Sequence, residues 1–244
     1  KIKYIGGWQI MNHLEIKYIG HSGFLCDTGE RFLLFDLFRD EHNILDRGLP
    51  HDGYGTVLIS HAHSDHFNPR AFELGVPGRT VYVMDSGIIA PQSACEVKSV
   101  TPGDVLDIGR ISVKVFDSTD EGSSFLVESD GWSVFHSGDL NDWYWEEEST
   151  PDELKRDEDL YLQELGRIPG GMDVAFVPVD LRLGRHAARG AQHFARMLRP
   201  GYIIPMHMNG RPDPDLFEKA LNSTSSGTRP LMIAEGDKAD LIKP

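Results

Sequence analysis

Three imidazoles and a carboxylate crowd into Ser60-His61-Ala62-His63-Ser64-Asp65-His66, directly after the apolar run Val57-Leu58-Ile59. A run of that kind reads as a buried strand, and a buried strand fixes the base of the loop it feeds. Alternate side chains of the short extended stretch that follows point the same way, so His61 and His63 can share one cation. Asp65 and His66, past the bend, can reach a second cation a few ångströms away, the arrangement of a two-metal hydrolytic centre. A lone loop histidine is ordinarily structural. Three at this density, with a carboxylate, match the donor types of a divalent metal site.

The rest of the chain supplies strands on which such a loop can sit. β-rich runs at 15–19, 23–26, 32–35, 56–60 and 80–84 are separated mostly by Gly, Asp or Pro, and a second series follows at 111–116, 124–128, 132–136, 174–177 and 202–206. Asp130-Gly131 marks a tight hairpin between two of them. Helical patterns lie at 186–198, with Ala187, Ala191, Phe194, Ala195 and Leu198 on one face, and at 214–221, with Asp213 as its N-cap. The acidic stretch 146–164 reads as a solvated helix or an insert. No linker-like tract divides the chain, which reads as one domain over residues 11–244. Ile2-Lys3-Tyr4-Ile5-Gly6 recurs letter for letter as Ile16-Lys17-Tyr18-Ile19-Gly20, so residues 1–10 read as an N-terminal extension of upstream or artificial origin.

Composition removes several function classes. With 24 Lys+Arg against 38 Asp+Glu, the net charge of −14 opposes the basic footprint of a nucleic-acid coat. Cys26 and Cys95 form neither a CxxC pair nor a disulfide framework, which fits a reducing cytoplasm. No apolar run is long enough for a membrane span, and no secretory h-region opens the chain. The expectation is a soluble, cytoplasmic protein. Aromatic-rich patches leave room for a homo-oligomer.

The His61-Ala62-His63-Ser64-Asp65-His66 loop resembles the hallmark His-x-His-x-Asp-His of the metallo-β-lactamase superfamily, and the likeness extends from Met11 to the C-terminus. Gly20-His21-Ser22, Leu33-Leu34-Phe35-Asp36 and Ile204-Pro205-Met206-His207 look like the branch that contains the ascorbate-6-phosphate lactonase and related metal-dependent hydrolases. The resemblance implies an α/β (α+β) fold, a four-layer αββα sandwich, with two divalent ions, zinc first and manganese or iron as alternatives. It implies that Asp139, in His136-Ser137-Gly138-Asp139, bridges both metals, and that His207 binds the second. Asp36 and His21 match positions near the cluster, Asp36 as an acceptor that fixes the tautomer of a ligand imidazole.

The chain departs from the family at one point. Where the family supplies a third histidine to the first metal, this sequence reads Asp117-Ser118-Thr119-Asp120-Glu121-Gly122. A carboxylate can substitute as an oxygen ligand and shifts preference toward harder ions. Asp120 is the first candidate, with Glu121 or an inward-turned His136 as alternatives.

Chemistry follows from that set. A water held by two divalent ions is deprotonated near neutral pH, and the hydroxide attacks a carbonyl or phosphoryl centre. Asp65 or Asp139 then takes up the proton. Arg182, Arg185 and Arg189 surround an expected helix start and suggest a phosphate-binding cluster, while Trp143, Tyr144 and Trp145 suggest a pocket wall. The leading expectation is hydrolysis of a small ester, lactone or phosphorylated metabolite. A phosphodiesterase or nuclease of the same superfamily and a non-catalytic metal-binding regulator are the competing readings. Neither nucleic acid nor membrane is expected as a partner.

Overall fold

The computed structural model describes residues 4–5, 8–9, 13–210 and 214–243. Much of the 1–10 segment, Met11 and the cap residue Asp213 therefore lie outside the described residues. Within the segment, β1 (Tyr4–Ile5) and β2 (Trp8–Gln9) pair antiparallel.

The other strands form two seven-stranded mixed sheets. The first has the order β16 (Lys238–Ile242), β3 (His13–Gly20), β4 (Gly23–Asp27), β5 (Phe32–Phe35), β6 (Gly55–Ile59), β7 (Thr80–Asp85), β8 (Glu96–Val100). The second has the order β15 (Arg229–Pro230), β14 (Tyr202–Met206), β13 (Val174–Pro178), β12 (Trp132–His136), β11 (Ser124–Ser129), β10 (Ile111–Phe116), β9 (Val105–Ile108). Each sheet is antiparallel on one side and parallel on the other, with β5 to β8 parallel in the first and β12 to β15 parallel in the second. Asp130 and Gly131 both take positive φ, 48° and 84°, in the hairpin joining β11 to β12, as the Asp-Gly pair predicts.

Alternation of side chains explains why the strands read as unbroken apolar runs. Phe24, Cys26, Leu33, Phe35, Leu58 and Val83 face the second sheet and meet Val113, Val127, Val134, Phe176 and Ile204 in the central core. Leu25, Leu34, Val57, Ile59, Tyr82 and Met84 face outward from the first sheet into a further apolar layer. A strand buried on both faces has no polar side to display. Both cysteines are buried and unpaired.

On the second sheet the outer layer consists of α1 (Pro151–Leu165), α2 (Arg189–Leu198) and α3 (Pro214–Asn222), which cover Leu126, Phe135, Ala175, Val177 and Ile203. The layered architecture is the one expected, with one refinement: over the first sheet the cover is built from short 3₁₀ turns, His51–Gly53 and Pro69–Glu73, and loops. The acidic stretch is an ordered helix. Thr150 and Glu153 form a reciprocal capping box, and Leu154, Tyr161 and Leu165 anchor α1 while its carboxylates face solvent. The helix expected to open at His186 instead starts at Arg189, after a 3₁₀ turn Leu181–His186 broken by Gly184. Among the described residues, no helix is long and apolar enough to cross a membrane.

Candidate metal centre

Every side chain of the candidate centre leaves the same edge of the sandwich, where the parallel strands end. β5 ends at Asp36, β6 at Ser60 and the histidine loop, β12 at Gly138-Asp139, β13 at Asp180 and β14 at His207, while the β3–β4 turn contributes His21. Ligand sites gather at such edges because strand ends from different parts of the chain converge there on a rigid base. His21, Asp36 and His207 all take positive φ, 53°, 34° and 55°. Backbone strain of that kind in non-glycine residues persists where the surroundings over-determine it.

Two groups of donor atoms form at this edge. His61, His66 and Asp139 make one, and His21, Asp65, His66 and His207 the other, with ligand atoms in each lying within 4.8 Å of one another. Nε2 of His66 is 3.0 Å from Asp139 Oδ1, and Nε2 of His61 is 3.3 Å from Asp139 Oδ2. His207 Nε2 approaches Asp139 Oδ1 at 3.7 Å and Asp65 Oδ2 at 3.8 Å, and His21 Nε2 reaches Asp65 Oδ2 at 3.3 Å.

The residues fit a divalent cation. Nε2 of His21, His61 and His66 and Oδ1 of Asp139 are buried without a hydrogen-bond partner. Buried polar atoms are almost always satisfied, and these four, from the β3–β4 turn, the histidine loop and the end of β12, are the donor types that a divalent cation takes. The opposite edges of the rings are, by contrast, firmly held. His66 Nδ1 lies 2.7 Å from Asp36 Oδ2, and Ser60 donates to the same carboxylate through its backbone N–H at 2.8 Å and its hydroxyl at 2.6 Å. Ser60 Oγ is also 2.9 Å from His61 Nδ1, and His207 Nδ1 is 3.1 Å from Asp180 Oδ2. Such contacts select the tautomer that leaves Nε2 free.

Electrostatics follow from this geometry. Burial opposes ionisation of Asp139, but the adjacent imidazoles of His61 and His66 outweigh it and hold the carboxyl far below the usual carboxylate range. Burial likewise disfavours charge on His66, yet Asp139 and Asp36 on either side push its pKa up to about 10. His21 has no such pair: burial, together with the imidazoles of His207 and His66, lowers it to about 4. Burial also resists ionisation of Asp180, and His207 and Arg182 reverse the effect and hold it ionised.

Several expectations change at this point. His63 stands outside both groups, half-exposed, with Nε2 at 2.6 Å from Glu121 Oε2. Asp120 and Glu121 both stand outside the two groups; Asp120 lines the same cavity as His63, and Glu121 is the carboxylate of the 117–122 turn that meets the histidine loop. His136 is not turned toward the cluster. It is fully buried between the sheets, stacked on Phe35 at 5.1 Å, with Nε2 at 2.8 Å from the Ser22 carbonyl and Nδ1 accepting from the Gly138 N–H. The three arginines do not gather into one cluster: Arg182 lies against Asp180, Arg185 against Glu146, and Arg189 against Asp142 and Glu158, and of the three only Arg182 lines the cavity beside the centre. Asp180 escaped sequence reasoning altogether. Its only sequence signal is its position after the buried run ending at Pro178-Val179.

A cavity of about 470 Å³ opens onto the cluster, lined by His63, Asp65, Asp139, Trp143, Trp145, Arg182 and His207 among others. Trp143 and Trp145 stack with ring centroids 6.2 Å apart, and Trp143 meets the His207 ring edge-on at 5.7 Å. They form the wall expected of them. Tyr144 turns away, to stack on Arg189 and His186.

Comparison with known proteins bears on the family and the fold. A family model described as a beta-lactamase superfamily domain matches residues 15–156, more than half of the chain. A UPF0173 metal-dependent hydrolase of Opitutus terrae is 29% identical, the match covering 91% of this chain and 98% of that protein. Among solved structures, a metallo hydrolase of Ignicoccus hospitalis superposes with a TM-score of 0.66 at 18% identity over 95% of this chain and 100% of its own. The metallo-beta-lactamase fold protein YhfI of Bacillus subtilis gives 0.67 at 14% identity over 93% and 99%. With its histidine loop, its layered mixed sheets and its convergent strand ends, the chain belongs to the metallo-β-lactamase superfamily of metal-dependent hydrolases.

Proposed function

We propose that the chain hydrolyses a small ester, lactone or phosphorylated metabolite with two divalent ions, zinc foremost and manganese or iron as alternatives. The observation that carries this reading is the convergence of the Nε2 atoms of His61 and His66 on the two oxygens of the Asp139 carboxylate, at 3.3 and 3.0 Å. His61 and Asp139 would hold one ion, with His63 and Glu121 at its open side, and Asp65, His66 and His207, with His21 beside them, would hold the other, since the one free nitrogen of His66 serves a single ion. When bound, the ions supply Lewis acidity toward the substrate oxygen and acidify water.

The chain's own residues divide the remaining work. Asp139 is enclosed and held ionised, and would serve as a ligand carboxylate that takes up no proton. Asp65 is open to the cavity, and its carboxylate would accept a proton from the attacking water and return it to the leaving group. Asp36 and Asp180 fix the rings of His66 and His207 from behind. The stacked Trp143 and Trp145 shield one side of the cavity from solvent. The cavity volume suits a small molecule, and the net charge of −14 argues against nucleic acid.

Elemental analysis of protein purified without added metal, beside a screen of ester, lactone and phosphodiester substrates with and without Zn²⁺ or Mn²⁺, tests the proposal. About two ions per chain with metal-dependent ester or lactone turnover that disappears in Asp139→Ala is the expected result. No turnover after reconstitution would overturn it in favour of a non-catalytic metal-binding protein, and turnover of phosphodiesters alone in favour of a phosphodiesterase.

A further inference from the structure

Arg182 is the only Lys or Arg among the residues lining the metal cavity, and its side chain is half-exposed there. The guanidinium is not a loose surface group. Asp180, fully buried, accepts from its Nε at 3.0 Å and its Nη2 at 2.5 Å, and the backbone N–H of Arg182 bonds the same carboxylate at 2.9 Å. Its Cζ lies over the Trp145 ring, 5.4 Å from the centroid. Asp180 thus occupies the Nε edge, and Nη1 has no carboxylate or carbonyl partner among the described residues. The edge left open is the fork that matches a carboxylate or phosphate with two parallel hydrogen bonds.

The same buried carboxylate ties this fork to the centre. Asp180 Oδ2 is shared by Arg182 Nη2 and His207 Nδ1, so the open edge of Arg182 lies one carboxylate away from a residue of the cluster. Between them the faces of Trp145 and Trp143 lead from Arg182 to His207. Arg185 and Arg189, bound to other carboxylates, line no part of this cavity.

We infer that Arg182 is the specificity-determining residue of this site and docks an anionic group of the substrate, a carboxylate or phosphate distinct from the bond that is cleaved, while the Trp143–Trp145 pair carries the apolar or planar part between. This rests on the hydrolytic reading above and adds its substrate class: a compact molecule with an anionic end. Asp180 is then a positioning residue, which orients the fork and the His207 ring with one carboxylate.

Two readouts test it separately from that reading. The first is binding of phenylphosphonate and of benzoate to metal-free protein, followed by tryptophan fluorescence, so that neither metal nor turnover is involved. Arg182→Met is expected to weaken binding of at least one probe tenfold or more, and Arg182→Lys to recover part of it, since charge returns without the fork; the probe that binds tighter identifies phosphate or carboxylate as the preferred group. The second is the ratio of kcat/KM for mono-4-nitrophenyl glutarate to that for 4-nitrophenyl acetate on the metal-loaded enzyme, expected to fall tenfold or more in Arg182→Met. Hydrolysis with an unchanged ratio, or equal probe binding by wild type and Arg182→Met, overturns the inference and leaves the hydrolase intact. Absence of any hydrolysis with Arg182-dependent probe binding would sink the hydrolase reading and keep the anion site.

Discussion

Asp36 Oδ2 lies 2.7 Å from Nδ1 of His66, so a residue that ends β5 fixes the ring of one that closes the histidine loop after β6. The two strands are parallel neighbours, and the contact therefore crosses between chain segments that the sheet alone brings together. Replacing Asp36 by Asn keeps the shape but removes the anionic acceptor. Metal affinity, measured by competition with a chelating dye, should fall roughly 10–100-fold, as is usual when an outer partner of a ligand imidazole is lost.

The same residue sets part of the acid stability of the metal-free protein. Burial opposes its ionisation, but the His136 and His66 imidazoles keep its folded-state pKa below the ordinary value of about 3.9. A depressed carboxylate stabilises the fold above that ordinary pKa, and the contribution is lost as pH falls below it. Urea midpoints taken at pH 6, 4 and 3 should therefore drop for the wild type, and the drop should be shallower in Asp36→Asn. Parallel curves would show that Asp36 does not contribute.

Asp139 stands between His61 and His66 and its replacement should damage both ion positions at once. In Asp139→Asn the metal content should fall toward none or one ion per chain, and kcat should fall roughly 10²-fold or more. Circular dichroism should remain that of the wild type, which separates loss of the centre from loss of the fold.

The 117–122 turn offers a choice between two acids. Because Glu121 Oε2 meets His63 of the histidine loop and Asp120 does not, Glu121→Gln should weaken metal binding more than Asp120→Asn does. The opposite order in a side-by-side titration would return Asp120 to the role that sequence reasoning assigns it.

Gly122 seats that turn against the histidine loop. It has φ of +75°, and a Cβ there would collide with the Ser60 carbonyl and the His61 Cβ, while Ser123 N–H bonds the Ser60 carbonyl at 2.9 Å. Gly122→Ala adds left-handed strain to overpacking and should cost roughly 1–3 kcal/mol in a denaturant titration.

Removing the ions should be visible in stability as well as in rate. A ligand at a hundred times its Kd stabilises a fold by about 2.7 kcal/mol, which in a chain of this size corresponds to a Tm shift of roughly 5–10 °C. Addition of EDTA should lower Tm by that order, and Asp139→Asn should be insensitive to it.

What the amino-acid sequence determined by itself is local. The apolar run of β6 and the dense His61-Ala62-His63-Ser64-Asp65-His66 loop after it were legible because a buried strand and its ligand loop are contiguous, as was the Asp130-Gly131 hairpin. Edge strands with mixed polarity, such as Glu96–Val100 and Lys238–Ile242, carry no clear alternation and became visible only through their partners in the sheet. The same holds within the centre. Asp180 is an isolated polar residue in the chain, and only the parallel register that brings five strand ends to one edge turns it toward His207. His136 looked available by spacing, yet strand alternation points it into the core against Phe35, where the Ser22 carbonyl satisfies it. Ligand type is written in neighbouring letters, whereas ligand convergence depends on distances across the sheets, which spacing along a chain does not encode.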